Sequence, residues 1–309
     1  MHRQLWGVVL AGGDGTRLKT LSRFISGDDR PKQFCALFGG ETLLRQTRAR
    51  IAPAVHAERT IFVVVKAHEP FYRKELGGVD ESRIVVQPSN RGTGTAILYS
   101  LLRLSRLDDD PLVAFFPTDH DYADDKGFAQ SVETAAAFAR QSPERLVILG
   151  ARAERAEMQY GWIEQGVRIE DTGFRDEPVF RVNRFWEKPS SGVASDLFRK
   201  GCLWNTFVLI GRARTFLDAL ASATPATRQA LDPLRASPAA HSEFELASQI
   251  YDGLPAADFS RQVLTTCTDR LAVLGMGEVG WSDLGTPERV RAAAEMRAHA
   301  WLQSSRITG

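Results

Sequence analysis

Apolar residues fall along this chain in short runs of four to six, separated by stretches of helical period, and the first run ends most abruptly. Leu5-Trp6-Gly7-Val8-Val9-Leu10 is apolar throughout, as expected of a strand buried on both faces. It then breaks into Ala11-Gly12-Gly13-Asp14-Gly15-Thr16. Similar runs at 60–65, 83–86, 111–116 and 145–150 predict further buried strands, with helices between them over 41–51, 69–76, 93–107 and 128–140. In the third helix Ile97, Leu98, Leu101, Leu102 and Ser105 share one face. The alternation predicts an α/β, Rossmann-like, mostly parallel sheet with helices on both faces and ligands beyond the carboxyl ends of its strands.

The rhythm changes in the second half. Runs at 160–168 and 179–186 read as strands with no long helix between them, an antiparallel addition that supplies a second pocket wall. A helix over 190–200, a strand over 206–210 and a helix over 214–221 follow. The Pro- and Ala-rich stretch 222–240 is expected to form short surface helices. Short strands are predicted around Val263 and Val273, and a closing helix over 287–302 with Thr286 as N-cap and Pro287 at its first position. The expected organisation is one domain over 1–285, with residues 286–309 forming a helix packed on it. No internal repeat is present.

With 309 residues, 43% of them hydrophobic, the chain can bury a sizeable core. A formal net charge of +1, from 39 basic and 38 acidic residues, gives no global field, which argues against nucleic-acid coating and membrane-surface binding. Any anion must be held by local geometry. Cys35, Cys202 and Cys267 are widely spaced and odd in number, which argues against a disulfide framework or a structural zinc site. No apolar run approaches about 18 residues, and the first reads as a core strand rather than a leader, so a cytoplasmic protein is expected.

The glycine-rich break is the first candidate for chemistry. Gly12, Gly13 and Gly15 remove the Cβ atoms that block close approach, successive amides can cup an anion, and Arg17 and Lys32 add positive charge. The pattern is neither GxGxxG nor GxxxxGK[ST]. By itself it is more often a plain strand-to-turn connection, which is ordinary in α/β proteins. Asp119, just past a buried strand, suits a ligand position or a turn aspartate bonded to its own backbone. Asp283, in Gly280-Trp281-Ser282-Asp283-Leu284-Gly285, reads alone as part of a structural turn. Glu187-Lys188-Pro189 reads alone as a solvated turn, and Gln87-Pro88-Ser89-Asn90-Arg91-Gly92-Thr93-Gly94-Thr95 as a glycine-rich connection with Thr93 or Thr95 capping a helix.

Taken together, the string from Leu10 to Leu18 followed by Arg30-Pro31-Lys32-Gln33-Phe34 resembles the signature of the sugar-1-phosphate nucleotidyltransferases, most closely the mannose-1-phosphate guanylyltransferases. Further segments resemble the family's in order. They are Gln87 to Thr95, Pro117-Thr118-Asp119-His120, Tyr160-Gly161-Trp162-Ile163-Glu164, Glu187-Lys188-Pro189, Trp204-Asn205 and Trp281-Ser282-Asp283-Leu284-Gly285. The resemblance implies transfer of a nucleoside monophosphate from a nucleoside triphosphate, GTP by the closest match, to a sugar 1-phosphate, mannose 1-phosphate by the same match. The products would be GDP-mannose and pyrophosphate. It implies that Arg17 and Lys32 neutralise the triphosphate, while Leu10, Ala11, Gly12, Gly13, Gly15, Thr16, Gln87, Arg91 and Thr93 bind the nucleotide. Gly161, Glu187, Lys188 and Asn205 would hold the sugar phosphate, making the antiparallel addition the sugar-binding part. Asp119 and Asp283 would ligate Mg²⁺, and His120 would have a supporting rather than a catalytic role. Lys32→Ala is then expected to lower turnover far more than stability.

The partners implied are the two substrates, with no nucleic acid or membrane, and self-association stays open. Three departures stand out, the first leaving the base open and the second the sugar, so the same chemistry with another nucleoside triphosphate or hexose 1-phosphate is an alternative, as is a non-catalytic nucleotide-sugar sensor. Gly92-Thr93-Gly94 stands where the family usually has Asn-Thr-Ala, Thr206-Phe207 where it has a small residue and then glycine, and Leu18-Lys19-Thr20 lacks the proline usual before Leu-Ser-Arg. Because the chain ends soon after Asp283, the expectation is a short, monofunctional form without a fused isomerase domain or a left-handed β-helix.

Overall fold

Val8 and Val9 point to opposite faces of one strand, and each face meets its own set of helices. The computed structural model describes residues 5–170, 177–236 and 240–307. In chain order the elements are β1 (Leu5–Leu10), α1 (Lys19–Ser26), α2 (Leu43–Ile51), β2 (Thr60–Val65), α3 (Glu69–Glu75), β3 (Ile84–Gln87), α4 (Thr93–Leu104), β4 (Leu112–Pro117), α5 (Asp125–Gln141) and β5 (Leu146–Arg152). They continue with β6 (Gly161–Arg168), β7 (Val179–Glu187), α6 (Ser191–Arg199), β8 (Leu203–Arg212), α7 (Ala213–Ala223), α8 (Pro225–Leu231), α9 (Ala240–Asp252), β9 (Leu271–Gly275) and α10 (Pro287–Ile307).

The strands form one sheet of order β3-β2-β1-β4-β8-β5-β9-β7-β6, with β6 also pairing to β8. β3, β2, β1 and β4 run parallel, which matches their predominantly apolar sequences. Strand β8 runs antiparallel to both β4 and β5, so its early residues reach the end of the sheet where β1 and β4 finish. Hairpin β6–β7 adds the antiparallel part, joined to β8 through the Trp162–Trp204 pair. On one face Val9, Phe62 and Phe116 pack with Leu44 and Ile51 of α2 and Val132 of α5. On the other, Val8, Ile61 and Phe115 pack with Ile97 and Leu101 of α4, Phe216 of α7 and Tyr251 of α9. A smaller cluster joins Leu18, Cys35, Leu43 and Leu284 to Val290 and Ala293 of α10. Arg289 N lies 3.4 Å from Thr286 Oγ1, so the threonine caps α10.

Two local expectations need correction, and two helices are unexpected. The strand expected around Val263 is instead a π-helical turn over Ser260–Leu264, since a buried apolar doublet is equally compatible with helix. Helices α1 and α9 were not legible. The first has little apolar face to bury, Phe24 being 88% exposed; the second follows a Pro- and Ala-rich stretch and takes its order from packing Ala247 and Tyr251 on the sheet face. Strand β8 begins at Leu203 rather than 206, which brings Trp204 and Asn205 into the ladder. All three cysteines are free and buried. Among the described residues no helix is long and apolar enough to cross a membrane.

Candidate active site

The carboxyl ends of β1 and β4 and the adjoining start of β8 open into a cleft of about 400 Å³. Segments far apart in the chain line it: Leu10, Gly12, Gly13 and Arg17 from the first loop; Gln87 and Thr93 around β3 and α4; Asp119 after β4; Gly161, Glu187 and Lys188 from the hairpin; Asn205 from β8; and Asp283. Ala11, Gly15, Thr16, Lys32 and Arg91 lie off the cleft wall. A second cavity, of about 490 Å³ and lined by Lys66, Tyr72, Tyr99 and Phe244 among others, contains none of these motif residues.

The glycine loop is shaped by the segment 30–34. Gln33 is buried and donates from Nε2 to the carbonyls of Ala11 at 3.0 Å and Gly13 at 2.7 Å, which ties down two acceptors of the loop. Gly15 has φ 61, and a Cβ there would lie 2.9 Å from the Lys32 backbone nitrogen. The glycine is therefore needed for the loop to fold against Pro31-Lys32. Arg17, in a single 3₁₀ turn over Thr16–Leu18, is exposed and stands at the rim.

Lys32 is only 6% exposed. Its Nζ donates to the backbone carbonyls of Asp283 at 2.9 Å and Leu284 at 3.1 Å and lies 3.3 Å from Asp119 Oδ2. This lysine fastens the two candidate metal-ligating segments together. Burial opposes ionisation of Asp119, but Lys32 and His120 outweigh it and hold the carboxyl below its ordinary value. Burial also pushes His120 down against the pull of Asp119 and Asp283. His120 Nδ1 accepts from Trp281 Nε1 at 3.2 Å, which puts the proton of the neutral ring on Nε2.

Asp283 is almost enclosed. Its Oδ1 accepts from the Tyr160 hydroxyl at 2.8 Å and the Gly285 amide at 3.0 Å, and Arg289 Nη1 is 3.0 Å from both carboxylate oxygens. Burial is again opposed, here by His120, Arg289 and Tyr160, and the carboxyl stays below its usual value. Asp119 and Asp283 together offer carboxylate oxygens of the kind a hard divalent cation takes; the Asp119 carboxylate is 40% exposed, whereas both oxygens of Asp283 are already met by Arg289 Nη1 at 3.0 Å. Among the described residues no cluster of three or more His, Cys, Asp or Glu could hold a metal, so such a cation would draw its remaining oxygens from substrate and water.

At the other end, a Cβ on Gly161 would lie 2.8 Å from the Phe185 ring, 3.0 Å from Glu187 Oε2 and 3.2 Å from Asn205 Cβ, so this glycine keeps the pocket groups close. Burial raises the Glu187 carboxyl, only partly countered by Lys188, whose Nζ is 3.5 Å away. Asn205 Oδ1 accepts from the Phe207 amide at 2.9 Å and its Nδ2 faces Ser260 Oγ at 3.5 Å.

Sequence reasoning missed several residues of this cleft. Asp258 and Ser260 come from a segment with no motif of its own. It is latched onto the 91–94 loop by Gly94 N to Ala257 O at 2.7 Å, Ala257 N to Arg91 O at 2.9 Å and Phe259 N to Thr93 Oγ1 at 2.9 Å. The latch explains Gly92-Thr93-Gly94: a Cβ on Gly92 would lie 2.3 Å from Ala257 O, and one on Gly94 3.0 Å. Gln33 and Tyr160 stood inside quoted motifs, whereas Arg289 had no signal beyond its place on the closing helix.

A family model described as nucleotidyl transferase matches residues 6–299. The xanthan biosynthesis protein XanB of Xanthomonas campestris pv. campestris is 32% identical over 283 residues, covering 90% of this chain and 57% of that protein. A mannose-1-phosphate guanylyltransferase of Escherichia coli K12 is 28% identical over 289 residues, covering 92% of this chain and 58% of that one. The chain thus spans a little over half the length of the curated relatives it matches. Among solved structures, one described as mannose-1-phosphate geranyltransferase from Thermus thermophilus superposes with a TM-score of 0.78 at 31% identity, covering 91% of this chain and 76% of that chain.

Proposed function

Because the chain belongs to the nucleotidyl transferase family, we propose that it joins a sugar 1-phosphate to a nucleoside triphosphate, with mannose 1-phosphate and GTP as the pair and GDP-mannose and pyrophosphate as products. The observation that carries this reading is the convergence of the glycine loop, Asp119, the Glu187-Lys188 pair and Asn205 on one cleft. A similar pairing of substrates is named in the relatives described as mannose-1-phosphate guanylyltransferases.

The chemistry asks little of a general base. A phosphate oxygen of the sugar phosphate attacks the α-phosphorus, the bond between the α- and β-phosphates breaks, and pyrophosphate leaves with the electron pair. The attacking oxygen is already anionic, so catalysis rests on alignment and charge neutralisation. Loop amides and Arg17 hold the triphosphate, Lys188 steers the incoming phosphate, and Glu187 and Asn205 hold sugar hydroxyls. Lys32 acts from behind, keeping Asp119 and the Asp283 segment in place. Mg²⁺ held by Asp119 and Asp283 would supply charge neutralisation at the nucleotide phosphates.

The test is pyrophosphate release with Mg²⁺, crossing the common nucleoside triphosphates with mannose 1-phosphate and glucose 1-phosphate. Release confined to GTP with mannose 1-phosphate bears the reading out. Release with another pair keeps the reaction and moves the specificity; none with any pair overturns it.

A further inference from the structure

Phe207 holds a backbone conformation that suits glycine. Its φ is 59, one of three positive values among non-glycine residues in the described chain. An L-residue there carries a steric cost that glycine avoids. The conformation belongs to a bulge in β8, where the register with β5 jumps from Ile148–Leu209 to Gly150–Asn205, leaving Leu149 opposite Thr206, Phe207 and Val208. Side chains on either side sustain it: Thr206 Oγ1 donates to Leu149 O at 2.6 Å, and Asn205 Oδ1 accepts from Phe207 N. Nothing in this wiring calls for an aromatic side chain.

The use of the ring is found in its surroundings. Phe207 lines the same cleft as Asn205, Gly161 and Glu187 and is joined directly to Asn205, whose Oδ1 accepts from the Phe207 amide, so it stands next to an amide able to meet a hydroxyl group. Its ring packs edge-on to Phe259 at 6.3 Å, and Phe259 is tied through its amide to Thr93. The ring is therefore backed by a second aromatic group and by the loop on the nucleotide side, which makes it a firm wall rather than a loose cover.

Resting on the function proposed above, we infer that Phe207 is a specificity-determining residue that restricts the acceptor to compact hexose 1-phosphates, excluding by steric conflict those with a bulky substituent such as an N-acetylamino group. Rejection by a clash is an effective route to specificity, because the favoured substrate bears none of it. The ring does not touch the reacting phosphates in this scheme; it sets which sugar fits.

The experiment compares kcat/KM for mannose 1-phosphate and for N-acetylglucosamine 1-phosphate in the wild-type protein and in Phe207→Gly, Phe207→Ala and Phe207→Tyr, with the KM for the nucleoside triphosphate alongside. Both truncations should shift the ratio toward the N-acetylated sugar by about tenfold or more, leave the triphosphate KM within about twofold, and be reversed by tyrosine. An unchanged ratio in both truncations of an active protein overturns the inference, as does a shift that appears equally in the triphosphate KM. If the truncations fail to fold, Phe207→Leu carries the same comparison. A wild-type protein inactive with every pair removes the functional reading itself, a result distinct from an active protein whose Phe207 variants keep their selectivity.

Discussion

Arg289 places Nη1 3.0 Å from both carboxylate oxygens of Asp283, and both side chains are only 12% exposed. The same guanidinium reaches Glu157 Oε2 at 2.7 Å through Nη2 and lies over the Tyr160 ring, 4.5 Å from its centroid. An arginine from the closing helix thereby holds a cleft carboxylate and the start of the hairpin in one network. Removing one partner of such a buried pair leaves an uncompensated charge. Arg289→Ala is expected to lower unfolding free energy by about 3 kcal/mol, measured by urea denaturation; a loss below about 0.5 kcal/mol would show the pair to behave as a surface ion pair.

Lys32 behaves differently from what its motif suggests. A lysine that met only substrate phosphates could be removed at little cost to the fold, yet this one is buried and satisfies two carbonyls as well as facing Asp119. Lys32→Ala is therefore expected to reduce both turnover and stability, the latter by about 2–3 kcal/mol. Melting temperature and pyrophosphate release on the same preparation check this. Unchanged melting with lost turnover would restore the purely catalytic role.

Glu187 offers a pH test with a definite sign. Burial raises its folded value above the ordinary 4.5. Such a group stabilises the fold below the unfolded value, and that contribution is lost as pH rises through the folded one. Glu187→Gln should accordingly melt higher than wild type at neutral pH, with the advantage shrinking as pH falls through the raised folded value toward 4.5 and changing no further below it. Turnover should drop at the same time, since an amide offers one neutral acceptor oxygen to the sugar hydroxyls where the carboxylate offers two charged ones. A variant that melts lower at neutral pH would mean that Lys188 outweighs burial.

Gly92 has φ 86 and no room for a Cβ against Ala257 O. Gly92→Ala should cost about 2 kcal/mol or more and release the latch between the 91–94 loop and residues 257–259. Hydrogen exchange at the Gly94 and Ala257 amides, both bonded across that latch, should accelerate beyond the change in global stability. Exchange that merely follows the global change would place the strain elsewhere.

What the sequence by itself determined was local. Almost wholly apolar runs of six residues such as Thr60–Val65 and Leu112–Pro117, too short for a buried helix, suit strands covered on both faces, and the glycine break after Leu10 marks where another such strand stops. The motifs that carry the family resemblance also contained many of the residues that line the cleft, among them Gly12, Asp119, Glu187 and Asn205. Tertiary structure alone decided which of those groups face the cleft and which stand behind it. Lys32 turned inward because two carbonyls of the distant 283–284 turn lie within reach of its ammonium, a relationship 251 residues apart in the chain. Asp258 and Ser260 joined the wall because the glycines at 92 and 94 leave room for Ala257, and Phe207 took a glycine-like φ because a bulge between β5 and β8 required it. These outcomes depend on long-range packing, in which each element's position is set by partners that local periodicity does not encode.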